Sequence, residues 1–187
     1  MVSSVFKPVE GKRTMRHVIS VLLQNEVGAL TRMTGLFSTR GYNIDSLNVA
    51  PTDDPTVSRV TLVVSGSDGA IAQLNTQLAK LVDVVNIHDM TLGEHFEREL
   101  VILKMKLPRG RLRHVLALAR KHGAKVLDDR QKSCTLQYMG RLSEVDKFVD
   151  SAMRFGDVTA VARSGSVAVS KGEVALSSYV KHHRLTG

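Results

Sequence analysis

The stretch Leu23-Gln24-Asn25-Glu26-Val27-Gly28-Ala29-Leu30 holds residue types suited to gripping a small charged molecule. It joins an apolar run to a helical stripe. A helix that starts near Gly28 turns unpaired backbone N–H groups outward, and these attract a carboxylate. Gly28 brings no Cβ between ligand and backbone. The Asn25 amide both donates and accepts, which suits the ammonium and carboxylate of a zwitterion. Asn43, at the start of the next extended run, is expected beside this loop, with Val27, Leu30 and Ile44 as apolar lining. The same residues read equally well as an ordinary strand-to-helix turn that needs a glycine for its geometry.

No catalytic constellation competes with this loop. The sequence lacks a P-loop, a G-x-G-x-x-G and a G-x-S-x-G, and no histidine pair has zincin spacing. His182-His183 lies in a basic tail and reads as solvated. Cys134 alternates with Leu136 and Tyr138, as a core residue of a strand does. Asp53-Asp54 sits between Pro51 and Pro55, which is turn chemistry rather than a metal site. An anion-cradling hydrolase loop would need an arginine nearby, and Arg32 and Arg40 are its candidates.

The elements that must position the loop follow from hydrophobic period. Val18 to Leu23 is a nearly continuous apolar run, the mark of a strand buried on both faces. Ala29, Leu30, Met33, Leu36 and Phe37 form a helical stripe that Gly41 stops. Strands are expected over Ile44–Val49, around Val60, Leu62 and Val64, and over Val82–Ile87. Between the last two, Ile71, Leu74, Leu78 and Leu81 make a second helix. The order is β-α-β-β-α-β. The second half repeats it. A strand over Leu100–Met105 precedes a helix on Leu112, Val115, Leu116 and Ala119 that ends at Gly123. Short strands at Val126-Leu127 and Cys134–Tyr138 follow. A helix on Val145, Phe148, Val149 and Ala152, capped by Ser143, leads to a strand at Val158–Ala162.

The two halves are in register. Arg16 and Arg98, and Gly41 and Gly123, stand 82 residues apart; Gly66 and Gly140, and Asp83-Val84 and Asp157-Val158, stand 74 apart. The shift falls at the Pro51–Ser58 segment, which reads as a loop insert. The fold class is α+β, with two tandem ferredoxin-like (βαββαβ) domains over residues 16–92 and 93–172, an N-terminal extension over 1–15 and a tail over 173–187. Units this small leave bare sheet faces and edges, so a homodimer is expected.

The 187 residues carry a net charge of +8. Residues 1–94 hold 8 Lys+Arg against 9 Asp+Glu, and residues 95–187 hold 18 against 9. From Lys104 to Lys125 runs a basic stretch without a carboxylate. It reads as a solvated face, or as a docking surface for an acidic partner or a phosphate backbone. No apolar run approaches the ~20 residues of a membrane span. The first fifteen residues lack the apolar segment of a secretory leader. A single cysteine points to a reducing compartment, the cytoplasm.

Asn25-Glu26-Val27-Gly28-Ala29-Leu30 resembles the ligand loop of ACT domains, the small-molecule sensors of amino-acid metabolism. The longer run Ser20–Arg32, the run Gly35–Leu47 and Val49–Pro55 resemble the small regulatory subunits of acetolactate synthase (acetohydroxyacid synthase). Leu81-Val82-Asp83-Val84, Glu97-Arg98-Glu99-Leu100 and Ala162-Arg163-Ser164-Gly165 extend the likeness from about Met15 to about Gly172. The resemblance implies that the first domain is an ACT domain. It implies a non-catalytic chain that activates a large catalytic subunit and confers feedback inhibition by a branched-chain amino acid, usually valine. The effector-binding residues it implies are Asn25, Gly28, Ala29, Leu30, Asn43 and Ile44, at a dimer interface. It implies no cofactor on this chain, with thiamine diphosphate, magnesium and FAD on the catalytic partner. The rival class is an ACT-type, amino-acid-sensing regulator that binds nucleic acid. The basic second half favours it, and the shortage of interleaved aromatics opposes it.

Overall fold

The computed structural model describes residues 15–173 and Leu176. The readings of Met1–Thr14 and of His182-His183 lie outside the described residues. The chain forms two β-α-β-β-α-β units. The first runs β1 (Met15–Gln24), α1 (Ala29–Arg40), β2 (Ile44–Pro51), β3 (Val57–Gly66), α2 (Asp68–Leu78) and β4 (Val84–Asp89). The second runs β5 (His95–Lys106), α3 (Leu112–His122), β6 (Lys125–Arg130), β7 (Ser133–Gly140), α4 (Leu142–Met153) and β8 (Asp157–Arg163). A further strand, β9 (Val167–Ser170), follows. The sheets are ordered β2-β3-β1-β4 and β6-β7-β5-β8, with every pairing antiparallel.

The duplication holds at backbone level. Gly28 and Gly110, 82 residues apart, take φ of 85° and 79°; Gly41 and Gly123 take 70° and 69°. The bulge between Leu22 and Leu23 recurs between Lys104 and Met105, at the same spacing. The extra residues of the first unit are not a simple loop insert. They lengthen the whole hairpin, whose strands have 8 and 10 residues against 6 and 8 in the second unit.

Three expectations need correction. Ser143 does not cap α4: it lies inside the helix, and the Glu144 carboxylate accepts the Arg141 N–H at 2.8 Å instead. Val82 is not in β4 but in the preceding turn, 82% exposed. Leu81 lies beyond the end of α2, although it still packs on the first core.

Each unit has its own core. Ile19, Val21 and Leu23 of β1 meet Met33 and Phe37 of α1 and Ile71, Leu74 and Leu78 of α2. In the second, Val101, Leu103 and Met105 of β5 meet Val115, Val145 and Phe148. Cys134 is buried there as expected, and burial, reinforced by Asp129 and Asp128, pushes its thiol above the ordinary range. Phe148 stacks on Tyr138 with ring centroids 4.7 Å apart.

The units are joined by a clasp. Arg16 pairs with Glu97 and donates to Ser166 Oγ at 3.2 Å. Burial works against the charged form of Glu97. The hydrogen bonds from Arg16 and Ser166 outweigh it, so its carboxyl sits below the usual range. The N-terminal half of β5 leaves the second sheet and pairs with β9. Ala168 of β9 packs with Val18 and Met90 on the outer face of the first sheet. Arg59 reaches along the same face to Ser20 Oγ and to the Leu176 carbonyl, at 3.1 and 2.6 Å.

The loop into α1 is tied down from below. The Gln24 N–H donates to the Asp83 carbonyl at 2.8 Å. Arg32, one turn into α1, holds the buried Asp83 carboxylate bidentately, Nε to Oδ2 at 2.6 Å and Nη2 to Oδ1 at 2.7 Å. The Arg32 hydrogen bond is the main cause that holds the Asp83 carboxyl below its ordinary range. A depressed carboxyl stabilises the fold above its unfolded pKa, and that stabilisation is lost as pH falls through the folded one. Asp83→Asn is therefore expected to lower the melting temperature at neutral pH. It also flattens the loss of stability as pH drops below about 4, read by scanning calorimetry across a pH series. In the second core, Phe148→Ala is expected to cost about 3–5 kcal/mol in urea unfolding, whereas Ile102→Ser on the exposed face changes stability by roughly 0.5 kcal/mol or less.

Candidate functional site

The site is built where β1 leaves the sheet. Asn25 N–H donates to the Thr56 carbonyl at 2.7 Å, and the Asn25 side-chain amide donates to the Pro55 carbonyl at 3.0 Å. These bonds fix the loop against the β2–β3 hairpin. They leave Asn25 Oδ1 without a donor among the described residues. Gly28 then takes the left-handed conformation, φ 85° and ψ −11°, as the residue before α1, with no side-chain cap. A Cβ on Gly28 would stand 2.8 Å from Arg32 Nη1. The glycine is thus required twice, for its backbone angle and for the guanidinium beneath it.

The first turn of α1 offers its donors outward. The Ala29 N–H closes a turn on the Glu26 carbonyl at 3.2 Å, and the Arg32 N–H bonds Gly28. Between them the N–H groups of Leu30 and Thr31 have no acceptor among the described residues. The donors left free for an acceptor are therefore those of Leu30 and Thr31, one residue further on than Ala29. No acidic side chain occupies that turn. Leu30 is 37% exposed and Val27 fully exposed, so the apolar lining expected from them stands open at the surface.

Asn43 is not beside this loop. It precedes Ile44 at the far end of α1, and a 12-residue helix places the two ends about 18 Å apart. Its amide donates to Asp45 Oδ1 at 2.9 Å, and Asp45 accepts Ser65 Oγ at 2.6 Å. Ile44 is half-buried and packs on the first core. One chain therefore cannot bring Asn25 and Asn43 to a single amino acid. Arg32 and Arg40 form no common anion cradle either: Arg32 is spent on Asp83, and Arg40 lies in the last turn of α1.

The pairing of Arg32 with Asp83 escapes sequence reasoning, because 51 residues separate them and neither belongs to a local motif. A cleft of ≈ 580 Å³ lies elsewhere, between the two units. Its charged groups already have partners: Arg163 holds Glu99 at 2.6 Å and Asp146 at 2.9 Å, Arg16 pairs with Glu97, and Asp45 accepts from Asn43 and Ser65. Among the described residues no cluster of His, Cys, Asp or Glu could hold a metal, and no helix is long and apolar enough to cross a membrane.

Comparison with known proteins matches both units. The family model for the AHAS small subunit-like ACT domain covers residues 19–86, and that for the small subunit of acetolactate synthase covers 98–172. The acetolactate synthase small subunit of Haemophilus influenzae is 42% identical over 159 residues, spanning 85% of this chain and 98% of that protein. The isozyme 3 small subunit of Escherichia coli is 41% identical with the same coverage. The crystal structure of the small subunit from Thermotoga maritima superposes with a TM-score of 0.77 at 28% identity, over 86% of this chain and 99% of that one. With an ACT domain whose α1 opens at a left-handed glycine and a second unit of matching topology, this chain belongs to the acetolactate synthase small subunit family.

Proposed function

We propose that this chain is the regulatory, non-catalytic subunit of a cytoplasmic acetolactate synthase. It binds the large catalytic subunit, raises its activity and makes it sensitive to valine. Thiamine diphosphate, magnesium and FAD belong to that catalytic partner. The observation that carries the reading is the opened start of α1, with Leu30 and Thr31 N–H groups free behind Gly28, in a chain of this family.

The effector site is shared between two copies. β2 is an edge strand, and the Asn25 loop sits at its Pro51 end through the bonds to Pro55 and Thr56. Antiparallel pairing of two β2 edges about a twofold axis carries Asn43 of the partner subunit to that end. Valine then lies with its carboxylate on the α1 N–H groups and its ammonium on the asparagine oxygens. Its isopropyl group meets Leu30 of one copy and Ile44 of the partner subunit. Because valine touches both protomers, it favours one dimer arrangement over another. A differential of roughly 1–3 kcal/mol is enough for feedback.

Gly28→Asp strains the left-handed backbone, drives a Cβ into the Arg32 guanidinium and adds a negative charge beside the N–H groups of α1, and calorimetry should show valine binding abolished. The shared site makes a sharper test. Asn43→Ala alone should also lose binding. An equimolar mixture of the two defective chains, refolded together, should recover sites in the mixed dimers, where one of the two sites has both halves intact. Recovery of none would exclude a site shared across the twofold. Reconstitution with the large subunit, titrated in turn with valine, leucine and isoleucine, tests the regulatory role. A large subunit whose rate is the same with and without this chain would refute it.

A further inference from the structure

The two units offer the same sheet in two states. On the outer face of β1, Val18, Ser20 and Leu22 are 3%, 1% and 0% exposed, beneath the segment that carries β9 and Leu176. Their counterparts in β5, 82 residues on, are Leu100, Ile102 and Lys104. No layer of described residues covers this part of the sheet: Leu100 is half-buried, Ile102 is 37% exposed and Lys104 is exposed. Across the strands, Ile102 stands opposite Gln137 and Ala162, Leu100 opposite Met139, and Lys104 opposite Thr135 and Ala160. Met139 is 64% exposed. The face has an aliphatic centre at Leu100, Ile102, Met139 and Ala162, and cations beyond it at Lys104, Lys106 and Lys125.

The three lysines of this face lack partners. Between Leu100 and Leu127 there is no carboxylate, and Lys104, Lys106 and Lys125 are all exposed, while the other five Lys and Arg of that stretch belong to α3 and the loop before it, on the helix side of the sheet. None of them makes an ion pair with a described residue. Two carboxylates border the face: Asp128, held by Arg130 at 3.4 Å, and Asp157, opposite Lys106.

We propose that the open face of the second sheet is the docking surface for an acidic, partly apolar surface of the large catalytic subunit; this rests on the regulatory reading above. An aliphatic centre with a charged surround is the anatomy of a protein–protein interface. A second copy of this chain does not fit, because two such faces repel. Nucleic acid fits less well, because the centre offers neither aromatic rings to stack on bases nor a helix to enter a groove.

The test uses the full-length chain and the purified large subunit, with dissociation constants measured by fluorescence anisotropy over a series of salt concentrations. Lys104→Glu/Lys106→Glu/Lys125→Glu is expected to weaken binding about tenfold or more and to flatten the salt dependence. Ile102→Ser/Met139→Ser is expected to weaken binding with the salt slope intact. Both variants should bind valine as the unaltered chain does, which shows that they are folded. If both bind the large subunit as tightly as the unaltered chain, the surface is wrong and the regulatory reading stands. If the unaltered chain itself does not bind the large subunit, both fall. A salt-sensitive complex of this face with duplex DNA, displaced by the charge reversal while large-subunit binding persists, also overturns the assignment.

Discussion

A sheet of four strands with two helices on one side has a second side that must be dealt with. In a unit of this size the helices cover one face, and the chain has little left to cover the other. The arrangement of the molecule follows from that constraint. The first sheet is closed on its outer face by β9 and the segment reaching Leu176, brought there by the long strand β5, which serves both units. Among the described residues the second sheet receives no such cover. Its edges, β6 and β8, are exposed along most of their length. Among the described residues the first unit is covered on both faces and has edges at β2 and β4, and the second has a free face.

The difference is written in β1 and β5. Val18 to Leu23 reads as a run buried on both sides because residues pointing each way are apolar or small, and all of them are buried. Leu100 to Lys106 begins in the same way. Lys104 and Lys106 then alternate with Leu103 and Met105, so one side turns to water. The left-handed stops at Gly41 and Gly123 and the open start at Gly28 are equally local, since a positive φ selects glycine. What the sequence does not display is what distant segments do to one another. β9 has four residues, too few for a period, and exists because His95–Arg98 offers it a partner. The Arg32–Asp83 pair joins an exposed helix face to a turn, and nothing near either residue signals it. The misplacement of Asn43 has the same origin. Adjacency in sequence to the end of α1 was legible, but α1 itself carries Asn43 away from the loop at its start.

The candidate site depends on this economy. A loop that already formed a closed pocket would have no use for a second copy. Here Asn25 is fixed by the hairpin, Gly28 by its own backbone and by Arg32, and the first turn of α1 by the Arg32–Asp83 pair. The rigid half-site is prepared at small entropic cost to a ligand. In the proposed dimer the other half stands at the opposite end of β2, whose outer edge is unpaired among the described residues. In the shared site proposed above, ligand capture and pairing of that edge would be one event, so a molecule of a few heavy atoms would bias the arrangement of two whole protomers.

The edge is also wired to the second unit. Ser46 of β2 accepts the Ser166 N–H at 3.2 Å, and Asn48 donates to the Ser164 carbonyl at 3.4 Å. These bonds are long, and each contributes little energy. Their importance is positional. Gly165 between them takes φ 73°, and a Cβ there would stand 3.2 Å from Ser46 Oγ, so the turn fits closely against β2. One residue before the turn, Arg163 grips Glu99 on β5 and Asp146 on α4, and one residue after Gly165, Ser166 meets Arg16 of β1. A shift of β2 on pairing therefore meets a turn that is anchored on both sides, and the second sheet moves with it or the bonds break. The strand that ends in Lys104 and Lys106 is the same β5 that Arg163 holds at Glu99. The path from the free edge to the free face thus runs through one short turn, Ser164–Ser166, that is hydrogen-bonded to β2 and anchored on both sides.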